Sequence, residues 1–256
     1  MKIVQIGTGG WGKNHCRVLS ELGVLSAVCD KDLHLAEEFG KKYSVNFYNS
    51  LEILLEKEEF DAAFICTPTI THADIATKLI ESKKHVFVEK PLTYLSDDGK
   101  KLVDMANKNN VVLTCGYIER FNPAVSTVKD FLTSKKYGDL IRLEFYREHR
   151  MPQHIKDVGI IYDTAVHDID TAMWLFGKTP EVVFAIAGKI NHEHEDFATI
   201  MLGFKDNKTA TISSNWITPT RVRNFNAVCT DGRIFSDFIT QEIRIETDHG
   251  TENPKN

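Results

Sequence analysis

The chain lacks any apolar run long enough to cross a bilayer, and it lacks an excess of positive charge. Its 256 residues include 31 lysines and arginines against 36 aspartates and glutamates, so the formal net charge is −5. A membrane-spanning helix needs about 20 consecutive apolar residues, and nucleic-acid binding typically needs a basic face. The chain begins directly with an apolar, strand-like segment, so no signal peptide is expected. We therefore expect a cytoplasmic protein whose partners are neither nucleic acid nor membrane.

Closely spaced cysteines and metal-ligand motifs are also missing. The five cysteines are odd in number and widely separated, and neither a C-x-x-C pair nor an H-E-x-x-H motif occurs. Disulfide frameworks and zinc sites need patterned ligands. The cysteines are therefore expected to be free thiols in a reducing compartment, with several serving as small hydrophobes in strands. They are Cys16, Cys29, Cys66, Cys115 and Cys229.

Hydrophobic patterning divides the chain into two parts. Up to about residue 120, strand-like apolar runs alternate with helical segments, which is typical of parallel strands joined by crossover helices. From about Leu140 the runs are mostly β-like, with one helical segment around TAMWLF. The predicted fold class is α/β, with an N-terminal doubly wound Rossmann domain over 1–120 and a C-terminal α+β domain on a mainly antiparallel sheet over 121–256. The polar residues 248–256 are expected to fray.

The opening KIVQIGTGGWG places a G-x-G-x-x-G turn directly after an apolar strand. Gly7 allows a sharp turn, Gly9 leaves room for a pyrophosphate, and Gly12 lets the following helix pack closely on the sheet. Gly10 and Trp11 complete the turn, and the helix opening near Trp11 directs free N–H groups toward the phosphates. The pattern in this context predicts a dinucleotide-binding site.

An acidic residue ends the second apolar run, VLSAVCD. Asp30 at that position would accept hydrogen bonds from the adenosine ribose and repel a 2′-phosphate, which indicates NAD as the cofactor rather than NADP. Lys31 follows and would favour a 2′-phosphate, so it weakens this preference. A helix cap is the alternative role for Asp30, although Asp32 is better placed as the cap.

Four further motifs occur in order: CTPTITH after a strand, EKPL after HVFV, GYIERFNP after VVLTC, and DTAVHDID in the second part. Together with the glycine turn they resemble the Gfo/Idh/MocA family of nicotinamide-dependent oxidoreductases over essentially the whole chain. Within that family they look most like enzymes that oxidise sugar nucleotides, notably UDP-N-acetylglucosamine 3-dehydrogenases. Two departures are visible: Ala165 stands where relatives commonly have glycine, and the chain is shorter than is usual in the family.

The resemblance assigns Lys90, Asp163 and His167 as catalytic. Oxidation of a secondary alcohol needs a proton acceptor and a positive group beside the developing alkoxide. His167 suits the first role, helped by Asp163 one helical turn earlier, and Lys90 suits the second. Lys90 is also expected beside the cofactor, with Glu89 as a cofactor or orienting contact. Asp163 and His167 would address the substrate as well. A zinc site built on Asp163, His167 and a third group is the alternative, and we expect no metal.

The remaining assignments concern binding. The resemblance places Thr67, Pro68 and His72 along the nicotinamide ribose, since ligands bind at the carboxyl ends of strands in such sheets. His72 has a second interpretation, as a helix-start residue without ligand contact.

After the last strand of the first part, Tyr117, Arg120 and Asn122 are predicted to face substrate, and Arg120 has a structural salt bridge that joins the two domains as its alternative role. The basic residues of REHRMPQHIKD suit a diphosphate. They are Arg147, Arg150, His154 and Lys156.

The function predicted is NAD-dependent oxidation of a sugar or sugar-nucleotide hydroxyl, UDP-N-acetylglucosamine-like, at the 3-hydroxyl. Oxidation of a free cyclitol or sugar such as myo-inositol is the alternative within the family. A non-catalytic NAD-binding sensor is an alternative of another class, since related folds host such proteins. The second domain would bind substrate and build a homo-oligomer through its sheet.

Overall fold

The computed structural model describes residues 1–152, 155 and 158–254. It divides the chain into two compact units, Met1–Gly116 and Tyr117–Asn256. The first unit contains a six-stranded, wholly parallel sheet in the order β3-β2-β1-β4-β5-β6. Its strands are β1 Ile3–Ile6, β2 Leu25–Cys29, β3 Asn46–Tyr48, β4 Ala62–Ile65, β5 His85–Val88 and β6 Leu113–Cys115.

Five helices connect these strands. They are α1 Gly12–Glu21, α2 Leu33–Tyr43, α3 Leu51–Lys57, α4 His72–Glu81 and α5 Ser96–Asn109. Local signals explain several of their ends: the Asp32 carboxylate caps α2 by accepting the His34 N–H at 3.0 Å, and the Ser50 hydroxyl caps α3 by accepting the Glu52 N–H at 3.2 Å. Strand order reverses between β1 and β4, which is the switch point where open α/β sheets bind ligands.

The second unit is built on an eight-stranded sheet in the order β14-β13-β12-β11-β7-β10-β9-β8. The β7–β10 pair is parallel and the other neighbours are antiparallel. The strands are β7 Leu140–Glu148, β8 Val182–Gly188, β9 Phe197–Phe204, β10 Lys208–Asn215, β11 Val222–Cys229, β12 Gly232–Asp237, β13 Ile243–Thr247 and β14 Gly250–Glu252.

Two helices, α6 Pro123–Thr133 and α7 Val166–Phe176, pack with one face of this sheet in a single hydrophobic core. Phe145 on β7 lies opposite Phe225 on β11, and the two buried rings stack with centroids 5.3 Å apart. A π-helical turn, Ile161–Ala165, leads directly into α7. The other sheet face stays open, and β8 is exposed from 182 to 187.

The predicted fold class is confirmed: a parallel Rossmann sheet is followed by a mainly antiparallel sheet. Helix α6 was not predicted, although Asn122 as its cap and Pro123 at its first position are typical of a helix start. One local expectation needs correction. The prediction that residues 248–256 fray is wrong for 250–252, because β14 pairs with β13, with Thr251 opposite Glu246.

The five cysteines are free thiols. No helix among the described residues is long and apolar enough to cross a membrane.

Candidate active site

The glycine turn after β1 has the geometry that its spacing predicts. Gly7 has φ +82°, and a Cβ there would lie 2.6 Å from the Cys66 carbonyl oxygen. A Cβ on Gly12 would collide with the Gly7 carbonyl, so α1 packs against the turn only because residue 12 is glycine. Around Gly9, by contrast, no heavy atom of the described residues other than Gly9 and its chain neighbours lies within 4 Å of an added Cβ. The turn therefore leaves open backbone where a pyrophosphate would sit.

A groove of about 680 Å³ runs along the carboxyl ends of these strands, within the first unit. It brings together most of the residues predicted for the cofactor: Gly7, Gly9, Gly10, Asp30, Thr67 and Pro68. Lys31, Leu35, Thr71 and Ile75 are among the other residues that line it. The lining combines apolar side chains with polar and charged ones, which matches the chemistry of a dinucleotide. The residues present thus fit the cofactor that the turn implies.

Asp30 is held in place by the glycine turn itself. Its Oδ2 accepts the Thr8 N–H at 2.8 Å and the Thr8 hydroxyl at 2.9 Å, while Oδ1 accepts the Asp32 N–H at 3.0 Å. Each carboxylate oxygen accepts more than one hydrogen bond, so the group keeps capacity for ribose hydroxyls. The capping role belongs to Asp32.

His72 is buried at the first turn of α4, where it connects two loops. Its Nδ1 lies 2.9 Å from the Pro91 carbonyl and its Nε2 lies 2.9 Å from the Thr67 carbonyl. Thr67 Oγ1 in turn lies 2.7 Å from Thr71 Oγ1. The imidazole thus joins the loop after β4 to the loop after β5.

Glu89 is an orienting group for the residue that follows it. Its Oε2 accepts the Lys90 N–H at 3.2 Å, and its Oε1 lies 2.8 Å from Nε2 of His15 on α1. His15 was not predicted as a site residue, although it stands three residues after Gly12. Cys66 lies close to the same pair, but burial raises the pKa of its thiol to about 12, so the sulfur stays protonated. The pair holds α1 against the end of β5, where the half-buried Lys90 stands.

In the second unit, the segment carrying Asp163 and His167 is helical, as the sequence argument required. Asp163 lies in the π-helical turn and His167 in the first turn of α7, and both side chains are partly buried. The Thr164 hydroxyl donates to Asp163 Oδ2 at 3.1 Å. Such π-helical turns occur frequently at functional sites.

The predicted substrate residues after β6 have structural partners. Arg120 forms a fork with Asp170, with Nε 2.7 Å from Oδ2 and Nη2 2.5 Å from Oδ1. Its guanidinium also lies 5.7 Å from the Tyr117 ring centroid. Asn122 caps α6 by accepting the Ala124 N–H and donates to the Phe238 carbonyl at 3.0 Å. Arg120 thus forms an ion pair, as in its alternative role, but both partners lie within the second unit, so this pair does not join the two domains.

The predicted role of the basic stretch in binding a diphosphate is wrong for Arg147. Its side chain is 1% exposed, and it donates to Asp168 and Glu119 at 2.7 and 2.9 Å. Arg147 is therefore a buried structural cation that no diphosphate reaches. Arg150 is exposed, whereas His154 and Lys156 lie outside the described residues.

The groove and the glycine turn together define a nicotinamide dinucleotide-binding Rossmann domain, joined in sequence to an α+β domain with an open, mainly antiparallel sheet. Residues 1–117 match the family model described as "Oxidoreductase family, NAD-binding Rossmann fold", and residues 125–235 match the GFO/IDH/MocA C-terminal domain. Both family domains are present, and the chain belongs to the Gfo/Idh/MocA oxidoreductase family.

Curated relatives and solved structures agree with this assignment. The UDP-N-acetylglucosamine 3-dehydrogenase of Acidithiobacillus ferrooxidans is 26% identical over 96% of this chain and 76% of its own length. The myo-inositol 2-dehydrogenase of Thermotoga maritima is 27% identical over 97% of this chain and 78% of its own. A solved structure of the Acidithiobacillus enzyme superposes with a TM-score of 0.91 at 25% identity, covering 100% of this chain and 82% of that one.

Proposed function

We propose that this protein is an NAD-dependent dehydrogenase that oxidises a secondary hydroxyl of a sugar nucleotide resembling UDP-N-acetylglucosamine, at its 3-hydroxyl. The observation that carries the proposal is the presence in one chain of a dinucleotide groove, Lys90 two residues after β5, and Asp163 with His167 on one helical segment. Similarity to the Acidithiobacillus UDP-N-acetylglucosamine 3-dehydrogenase over 96% of the chain supports the choice of substrate.

The chain's own residues would share the chemistry as follows. His167 accepts the proton of the substrate hydroxyl, and Asp163 orients the imidazole and raises its basicity. Lys90 stabilises the developing alkoxide with its ammonium group. The hydride acceptor would be supplied by NAD when it is bound. The contact between Glu89 and the Lys90 N–H, backed by His15, keeps the backbone of Lys90 in position.

The cofactor would be held by residues of the first unit. Open backbone at Gly9 and Gly10 and the start of α1 suit the pyrophosphate. Asp30 suits the adenosine ribose, and Thr67 with Pro68 suits the nicotinamide side. His72 supports this last contact from behind, since its ring is buried between the Thr67 and Pro91 carbonyls.

Oxidation of a free cyclitol is the second candidate. It is favoured by the 27% identity to the Thermotoga myo-inositol 2-dehydrogenase over 97% of this chain. A non-catalytic NAD sensor fits less well, because a sensor has no use for Lys90, Asp163 and His167 together.

Substrate screening separates these possibilities. Purified protein with NAD would be offered UDP-N-acetylglucosamine, other UDP-sugars, free hexoses, inositols and sugar acids, and NADH absorbance would be followed. We expect turnover with a UDP-sugar. Turnover of inositol alone would select the second candidate, and NAD binding with no turnover of any compound would favour the sensor.

The partner proposed is a second copy of this chain, bound through the open face of the eight-stranded sheet. Phe184 and Met201 stand opposite one another on β8 and β9 and are 60% and 48% exposed. Val182 and Ile186, which share that face with Phe184, are 63% and 60% exposed. A contiguous exposed apolar patch of this kind marks an interaction surface. Sedimentation velocity should give an oligomer for the wild-type chain and a monomer for Phe184→Lys, and a wild-type monomer at all concentrations would refute the proposal.

A further inference from the structure

Two arginines stand side by side on the helix-covered face of the eight-stranded sheet. Arg147 on β7 lies directly opposite Arg223 on β11 in the antiparallel register. Directly opposite residues project from the same sheet face, and Arg147 lies on the face that carries the core residues Leu143 and Phe145. Arg223 is therefore next to Arg147, on the side that α7 covers.

The two guanidinium groups differ in their charge partners. Arg147 forms ion pairs with both nearby carboxylates, those of Asp168 and Glu119. Among the residues that the structure describes, no carboxylate lies within ion-pair distance of Arg223, and its buried Nε has no hydrogen-bond partner. Burial, and next the charge of Arg147, lowers the pKa of Arg223 to about 10. Arg223 thus stays cationic at neutral pH, and a partly buried cation without a counter-charge is costly.

The electrostatic surroundings of Arg223 include the predicted catalytic turn. Burial lowers the pKa of His149, and the charges of Arg223 and Arg221 lower it further, whereas Asp163 acts in the opposite direction. The contacts place Arg223 in the same region, because Arg147, directly opposite it, pairs with Asp168, the residue that follows His167 in α7. Arg221, two residues before Arg223, is exposed.

We propose that Arg223, assisted by Arg221, forms a binding subsite for an oxyanion carried by the substrate, either the diphosphate of a sugar nucleotide or the carboxylate of a sugar acid. A guanidinium presents parallel N–H donors that fit either group in a bidentate manner. The proposal rests on the proposed function, because it assigns the counter-charge of Arg223 to the molecule that the catalytic turn acts on. A neutral cyclitol would leave Arg223 without a partner.

Kinetics with charged and neutral substrates test the subsite. In Arg223→Gln, KM for UDP-N-acetylglucosamine should rise about 10-fold or more, as expected for a lost charge-assisted contact, while KM for myo-inositol stays unchanged. Arg223→Lys, which keeps the charge and loses the fork, should fall between. The matched control is Arg244→Gln, which removes an equal charge from an exposed ion pair with Glu246 and should leave every KM unchanged.

Direct binding separates failure of this proposal from failure of the proposed reaction. UDP and glucuronate would each be titrated calorimetrically into NADH-saturated protein, and the one whose binding weakens about 10-fold or more in Arg223→Gln identifies the oxyanion. UDP binding through Arg223 without turnover of any UDP-sugar would keep the subsite and refute the reaction. Turnover of a UDP-sugar with the same KM in wild type and Arg223→Gln would do the reverse.

A second variant keeps the subsite testable if Arg223→Gln does not fold. Arg221→Gln alters an exposed side chain, so it should fold normally and weaken binding of the same oxyanion several-fold. Unchanged affinity for both UDP and glucuronate in Arg221→Gln and Arg223→Lys would overturn the subsite.

Discussion

Arg147 and Asp168 form an ion pair in the interior of the second unit. Three hydrogen bonds of 2.7 to 3.1 Å join the guanidinium to the carboxylate, and both side chains are 1% exposed. Glu119 accepts a further bond from Arg147 at 2.9 Å. Burial alone would lower the pKa of Arg147, but the carboxylates of Asp168 and Glu119 outweigh burial and raise that pKa. This pair fixes the start of α7, and with it His167, against β7.

Asp168→Asn should therefore lower the free energy of unfolding by about 3–5 kcal/mol, because it leaves Arg147 a buried and undercompensated charge. Urea unfolding followed by circular dichroism measures the loss. Glu21→Gln serves as the control, since it breaks an exposed i,i+4 pair with Arg17 and should cost less than about 1 kcal/mol. An equal loss in the free energy of unfolding in the two variants would mean that the buried Asp168 stabilises the fold no more than an exposed ion pair does.

Lys90→Ala and His167→Ala should each lower kcat by a factor of about 10² or more while the affinity for NAD changes little, because these groups act mainly in the transition state. Steady-state kinetics and a calorimetric NAD titration are the two measurements. Lys101→Ala, an exposed lysine on α5, is the matched control. Near-normal turnover in both active-site variants would remove the proposed mechanism.

The unmodified protein should bind NAD more tightly than NADP, because Asp30 is held by Thr8 at the edge of the groove and would repel a 2′-phosphate. Asp30→Ser combined with Lys31→Arg should narrow or reverse this preference. The ratio of the Kd for NADP to the Kd for NAD should fall by about 10-fold or more, as expected for a charge-assisted contact. Calorimetric titrations with both cofactors decide this. Lys31→Arg alone should change the ratio less, and an unmodified protein that prefers NADP would contradict the assignment.

Four thiols should react slowly with iodoacetamide in the native protein. Burial raises the pKa of Cys16, Cys29 and Cys66 to about 12 and that of Cys229 to about 11. The reactive thiolate is therefore scarce at about pH 8. Mass spectrometry after brief alkylation should find these four unmodified, and prior denaturation should make all five cysteines react. Rapid native labelling of Cys66 would show that its surroundings open readily.

Stability should fall on mild acidification in a way that depends on His149. Burial, with Arg223 and Arg221 nearby, holds its folded pKa below the ordinary value of 6.5, so the unfolded chain takes up the proton first. The contribution to stability is thus complete above about pH 6.5 and declines as the pH falls toward the folded pKa. Urea unfolding between about pH 5 and pH 8 should show that the free energy of unfolding falls less on acidification in His149→Asn than in the wild type. Parallel curves for both proteins would contradict this.

Several site residues were predictable because their signals are local. Gly7 and Gly12 are required by backbone geometry within a few residues, and Asp32 caps the helix that it precedes. Arg147 was misassigned because its partners, Glu119 and Asp168, lie 28 and 21 residues away in the chain. His15 and Arg223 were missed for the same reason: each takes its meaning from a neighbour on another element.

The sequence by itself determined the alternation of strands and helices, the dinucleotide turn and the position of Lys90 after a core strand, because periodicity and backbone sterics act over short stretches of chain. Only the tertiary structure decided which arginines form ion pairs with internal carboxylates and which have no carboxylate as a counter-charge. That division depends on strand register, which sets Arg223 opposite Arg147, and on burial, which makes an ion pair strong or costly. Neither quantity can be read from the order of residues.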